Sequence, residues 1–310
     1  MAETFIFLVL LILVPLAMLA WVARRTYASR LEAVLGALFT ALFVLFLFLW
    51  GQYPYVGSYY FRYVLVVLAG MALFLVFRSV RERPWFSGDL GWRRWLAVGL
   101  SVVGSLLLLP LNWGALQAHR VDGPTVDMEF PFRAGTFYIS TGGSNAVLNL
   151  HHKPNTPAQM YAIDIDRLDG LGRYARGLIP DQLDDHLMFG ELVQSPSDGL
   201  VIEARGDVAD HAPYDYDPDT GAGNHVVIET DDGLQVALFH LRQGSVLVVP
   251  GDRVAAGDPI GRVGNSGFSV QPHLHLQVSR PATADPEAGQ VGVPVRFGGR
   301  FLVRNDVMRR

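Results

Sequence analysis

The sequence predicts an N-terminal region of four membrane-spanning helices followed by a mainly antiparallel β domain. Two observations carry this. Four long apolar segments crowd the first third of the chain, and short alternating runs broken by Gly, Pro and Asp fill the rest. A third agrees with them: the first third is almost free of acids, and most Asp and Glu come later. The expected domains are residues 1–117, four transmembrane helices with arginine-rich cytoplasmic loops, and residues 118–310, a β domain outside the cytoplasm.

The apolar segments are residues 4–23, 31–50, 59–77 and 95–113. Each is long enough to cross a hydrocarbon layer about 30 Å thick. Glu32 lies near one end of the second. Arg62 lies near the start of the third, where it is expected to snorkel to the headgroups. Trp95 and Trp113 take interfacial positions at the ends of the fourth. The first segment does not read as a cleaved signal peptide, because Glu3 precedes it and Arg24, Arg25 and Arg30 follow it. Those arginines and Arg78, Arg81, Arg83, Arg93 and Arg94 occupy the loops after spans one and three. The loop GQYPYVGS between spans two and three has no charge. The positive-inside rule then places both arginine loops in the cytoplasm and everything after residue 114 outside.

Composition excludes several classes. No cysteine is present, so disulfides, iron–sulfur clusters and thiolate zinc sites are ruled out. A net charge of -4 without a basic stripe argues against nucleic acid as a partner. Lys153 is the sole lysine; arginine supplies the remaining positive charge.

Beyond residue 118 the expected strands are GTFYIST, AVLNLHH, MYAIDI, GLVIEAR, NHVVIET, GLQVALFH, SVLVV, DPIGRVG and PHLHLQV. Together they suit a sandwich or a partly open barrel. The stretches 166–190 and 206–222 are polar and irregular, and loops of that length often wall a site. DYDPDTG places Asp215, Asp217 and Asp219 at alternate positions. Its glycine is one place late for a calcium loop, and the distal Glu is missing, so it reads as a solvated acidic loop.

The chemistry concentrates in the histidines. On a strand, residues two apart share a face, so His273 and His275 of QPHLHLQ project side by side while Leu274 and Leu276 enter the core. His240 ends one expected strand, and His151 and His152 end another. Asp164 sits between apolar neighbours, where an unpaired carboxylate is costly. Two same-face histidines, a third at a strand end and an Asp within an apolar strand suit a hydrolytic zinc site, with three N/O ligands and a fourth position for water.

The stretch 223–278 resembles the lysostaphin-like zinc metallopeptidases, which cut peptide bonds of bacterial cell walls. GNHVVIE followed by LFHL looks like that family's strand and first catalytic histidine. GSVLVVPGDRVAAGDPIGRVGNSGFS is similar to its hairpin and glycine turn, and PHLHLQV to its closing His-x-His strand. The resemblance implies His275 as a zinc ligand, with His240 and His273 catalytic. It also implies Asp164 as a ligand. The family's usual His-x-x-x-Asp is broken here, because Met160 stands four residues before Asp164 and a thioether is a poor zinc ligand in this company. Some members instead carry Asn-x-His upstream and Gln-x-Tyr-Ala-x-Asp downstream. This chain has Asn149-Leu150-His151 and Gln159-Met160-Tyr161-Ala162-Ile163-Asp164. The first ligand is therefore assigned to His151, with His152 as the competitor.

Two other readings are weighed. VPGDRVAAGDPIG also resembles the hairpin of lipoyl and biotin carriers, but no lysine lies in it. A catalytically inactive cell-wall binding or regulatory domain of the same fold is the second, and such members lose ligands or catalytic histidines that are retained here. The expectation is a multi-pass zinc endopeptidase of the bacterial inner membrane, holding one zinc ion. Its expected partners are membrane lipid and peptidoglycan cross-links or stems. The extra spans leave room for a membrane partner that the sequence does not name.

Overall fold

The computed structural model describes residues 2–87, 91–177, 179–215, 217–282 and 289–310. The chain divides into two compact units, Met1–Leu116 and Gln117–Arg310.

In the first unit, four helices are long and apolar enough to cross a membrane: Phe5–Arg24, Arg30–Trp50, Phe61–Ser79 and Trp92–Gln117. The first contains a widened turn at Val9–Leu13, where the Val14 N–H donates to the Val9 carbonyl. Pro15 follows immediately. Its ring has no N–H to give and crowds the preceding turn, and the wider turn accommodates it. Ser29 caps the second helix by accepting from the Glu32 N–H at 3.2 Å, and Glu32 accepts in return from the Ala28 N–H at 2.7 Å. The same buried carboxylate pairs with Arg25 at 2.6 Å and Arg94 at 3.2 Å, so one acid ties together the ends of three helices. Arg62 departs from the snorkelling expectation. It is buried, lies 3.9 Å from the Phe48 ring centre and donates to the Phe48 carbonyl at 2.6 Å. A carbonyl near the C-terminal end of a helix is a favourable acceptor for a cation.

The second unit is built on one antiparallel sheet. Its strand order is Val307–Arg309, Thr136–Thr141, Ile163–Leu168, Leu274–Pro281, Gln235–Leu241, Asn224–Glu229, Gly199–Arg205 and Arg253–Val254, with Gln290–Gly292 pairing the far end of Leu274–Pro281. Leu274, Leu276 and Val278 alternate into a core that also takes Ile165, Val236, Leu238, Val226 and Ile228. The opposite face of the central strands carries the polar residues.

Three expected strands need correction. AVLNLHH forms turns, because its burial does not alternate: Leu148 and Asn149 are both buried while Leu150 is 53% exposed. In MYAIDI the strand begins only at Ile163. SVLVV keeps its alternation, with Val246 and Val248 against the core and Leu247 and Val249 exposed, but it joins no ladder. In the irregular stretches, Leu178 and Tyr216 lie outside the described residues. The acidic loop is closed locally, since Asp217 accepts from the Asp219 N–H at 2.9 Å.

Candidate metal centre and its flanking histidines

Strand register sets the centre of the site. Asp164 of Ile163–Leu168 lies directly opposite His275 of Leu274–Pro281, so the two side chains share a face. His275 Nδ1 is 3.0 Å from Asp164 Oδ1. His151 Nε2 approaches the other oxygen, Oδ2, at 2.8 Å. The described residues contain one group of three or more ligand-type side chains whose donor atoms fall within 4.8 Å of one another: His151, Asp164 and His275.

His151 reaches this point from a turn. Asn149 is fully buried, and its amide lies 2.9 Å from the Gly143 carbonyl and 3.1 Å from the Ala162 carbonyl. Its Oδ1 accepts from the His151 N–H at 2.9 Å. One asparagine thus fastens the turn to the start of the Asp164 strand and sets the backbone of His151. His152 faces away: its Nδ1 donates to the Met160 carbonyl at 3.0 Å. The ring of His275 is fixed on both sides, stacked on Phe239 with centroids 5.2 Å apart and with Nε2 3.2 Å from Gln277 Oε1. Both ring nitrogens of His275 thus face oxygen acceptors; once Nδ1 gives up its proton, the Nε2–H bond to Gln277 would hold the Nδ1 lone pair toward Asp164 and His151.

His240 and His273 flank this group. Phe239 and His240 are consecutive, yet both rings lie beside His275. A regular strand forbids that. Two facts allow it: a bulge sets Phe239 and His240 against the single residue His225, between the pairs Asn224–Leu241 and Val226–Leu238, and His240 has φ of 64°. Bulges and left-handed residues of this kind redirect side chains at sites. His240 Nδ1 donates to the Ser266 carbonyl at 2.9 Å, and His273 Nδ1 donates to the Gln271 carbonyl at 2.8 Å. His273 stands one residue before its strand, with Nε2 3.6 Å from Asp164 Oδ1. The two rings are 5.0 Å apart. With Nδ1 engaged as a donor, each imidazole keeps the Nε2 lone pair free.

Charge reinforces the arrangement. Burial would push the Asp164 carboxyl up, but the imidazoles of His151 and His273, with hydrogen bonds from His151 and His275, hold it well below the usual carboxylate range. Burial, with His273 and His275 alongside, holds His240 well below the usual histidine range, so it is neutral at neutral pH. A carboxylate with two imidazoles is a donor set that zinc takes once the ring protons are released, and the donor spacing suits ligand bonds of about 2 Å. The Asp215–Asp219 loop supplies no such group among the described residues.

All five residues singled out from sequence therefore meet in one place. Asn149, Phe239, Ser266 and Gln277 were not foreseen in these roles. Gln277 was the most accessible, since it continues the His273, His275 face by one more alternation.

An antiparallel sheet that brings Asp164 and His275 together on adjoining central strands, with His151 joining them from a turn and two further imidazoles beside them, is the arrangement of a metallohydrolase type of domain. Residues 184–286 match the sequence model of Peptidase family M23. His151 and Asp164 lie upstream of the matched residues. Among curated proteins the chain is similar to an uncharacterized metalloprotease of Buchnera aphidicola subsp. Baizongia pistaciae, 30% identical over 96 residues, covering 31% of this chain and 22% of that one. It is also similar to the glycyl-glycine endopeptidase ALE-1 of Staphylococcus capitis, 33% identical over 112 residues, covering 35% and 27%. A third is the peptidoglycan DD-endopeptidase ShyA of Vibrio cholerae, 33% identical over 99 residues, covering 31% and 20%. The matched stretch thus spans roughly a quarter or less of each of these relatives.

Proposed function

We propose that the chain is a membrane-anchored zinc endopeptidase that hydrolyses peptide bonds of peptidoglycan cross-links or stems, with the β domain outside the cytoplasm of a bacterial inner membrane. The observation that carries this reading is the meeting of His151, Asp164 and His275 within 4.8 Å, beside two imidazoles whose Nδ1 atoms are tied to backbone carbonyls. The names of ALE-1 and ShyA, each an endopeptidase, support the reaction class. The four apolar helices support the anchor, and the arginine loops support the orientation.

His151 Nε2, one oxygen of Asp164 and His275 Nδ1 would hold a single zinc ion, which supplies Lewis acidity toward a peptide carbonyl and toward water. The remaining work falls to side chains. His240 or His273 accepts the proton of the attacking water at Nε2 and returns it to the departing amine. Once protonated, the same Nε2–H donates to the oxyanion, the kind of contact that removal experiments value at about a hundredfold or more in rate. Gln277 and Phe239 keep His275 from rotating, and the bulge keeps His240 over the site.

Digestion of purified peptidoglycan by the full-length protein in detergent tests the reading. New amino termini should appear with the wild type and be absent with Asp164→Ala. A wild type that carries zinc and binds peptidoglycan but releases nothing would favour the inactive regulatory domain.

A further inference from the structure

The metal group opens into a groove of about 770 Å³. Lys153 lines it, and among its described lining residues no other Lys or Arg occurs. Lys153 is also the sole lysine in 310 residues. Its backbone is fixed: its N–H donates to the His151 carbonyl at 2.8 Å, and its carbonyl accepts from the Thr156 N–H at 3.2 Å. Its side chain is exposed and takes part in no hydrogen bond or ion pair among the described residues. A cation thus stands two residues from His151, held at its base and free at its tip. Leu150, Phe268 and Val270 line the same groove and are 53%, 59% and 41% exposed. Pro218 also lines it, and its chain neighbours are Asp217 and Asp219.

We infer that Lys153 is a specificity residue that docks a free carboxylate of the substrate, so that the preferred substrate is a peptide bearing an unamidated acid close to the scissile bond. The inference rests on the reading of this groove as a peptidase site. The surrounding apolar surface takes the aliphatic part of such a peptide, and the ammonium pairs with its acid. Asp217 and Asp219, flanking Pro218, disfavour the same acid there, which orients the peptide within the groove.

The test compares two probes: soluble cross-linked peptidoglycan peptides with their carboxylates free, and the same peptides converted to carboxamides. Binding is measured on the full-length zinc-loaded protein carrying His240→Ala, so that the probe is not consumed. Hydrolysis is measured in parallel on the protein with His240 intact. The free-acid probe should bind about fivefold more tightly than the amide, the scale expected of a partly solvated ion pair, and the difference should shrink at high salt. Lys153→Gln should weaken the free acid to the level of the amide and leave the amide unchanged. Lys153→Arg should restore the preference, and Lys153→Glu should reverse it. In hydrolysis the change should appear in KM, with kcat and zinc content unmoved. Equal binding of the two probes, or a preference untouched by Lys153→Gln, overturns the inference. A Lys153-dependent preference in binding without any hydrolysis supports the docking role and sinks only the peptidase reading.

Discussion

Three side chains near Asp164 show how little of a site lies in the identity of its ligands. His151 and His152 are adjacent and chemically alike, but Asn149 holds the backbone of one while the Met160 carbonyl takes the ring of the other. His151→Ala should therefore lower zinc affinity sharply, and His152→Ala mildly. Met160→Ala should cost packing and leave metal content intact; dialysis against graded chelator distinguishes the three. Gln277→Ala should weaken metal binding by about ten- to a hundredfold, the usual consequence of removing the group that orients a ligating imidazole. A titration in which Gln277→Ala binds as the wild type does would remove that role. A buried histidine outside this group sets a different pH response. His186 is buried against Tyr174, and burial lowers its pKa from 6.5 to about 4. Between those values the unfolded chain binds the proton and the folded one does not, so stability falls as pH drops from 6.5 toward 4. The loss attributable to His186 is about 3 kcal/mol by linkage. Thermal melts of wild type and His186→Gln across that window check it: the variant should show the shallower decline.

At the scale of elements, the sequence made most of the sheet readable because its strands alternate. Leu274, Leu276 and Val278 point one way, and His275 and Gln277 the other, as written in PHLHLQV. Where side chains bond to the backbone, that pattern misleads. AVLNLHH looks like a strand, but the buried Asn149 amide takes carbonyls that a ladder would have left to backbone N–H groups, and the segment turns. The bulge at Phe239–His240 was also invisible, because alternation alone places the two rings on opposite faces. Its geometry depends on close backbone packing nearby. Gly223 has φ of 63°, and a Cβ there would meet the Ser266 carbonyl oxygen at 2.4 Å. That carbonyl holds His240. Gly223→Ala should therefore displace Ser266, release His240 and lower kcat by about tenfold or more while zinc content changes little. Equal kcat values for the variant and the wild type would show that the Ser266 contact does not position His240.

Across the whole molecule, the four apolar helices were legible from length alone, and their surfaces remain apolar and exposed at Phe74, Phe77, Leu106 and Leu107. In water such surfaces aggregate; in lipid they are solvated. The interior pairing of Glu32 with Arg25 and Arg94 was not legible, since those residues lie up to 62 positions apart. Orientation rests on the arginine loops. A reporter fused after residue 114 should be active only outside the cytoplasm, and one fused near residue 85 only inside; the reverse pattern would remove the cell wall as a substrate. The most direct test of the central claim is the metal content of the purified full-length protein, taken together with its release of peptides from peptidoglycan. The wild type should carry about one zinc per chain, the usual count for such a centre, and should be active. His275→Ala and Asp164→Ala should lose both metal and activity, and His240→Ala should keep most of the zinc and lose hydrolysis. A wild type that purifies without zinc and gains neither metal nor activity when zinc is supplied would contradict the account.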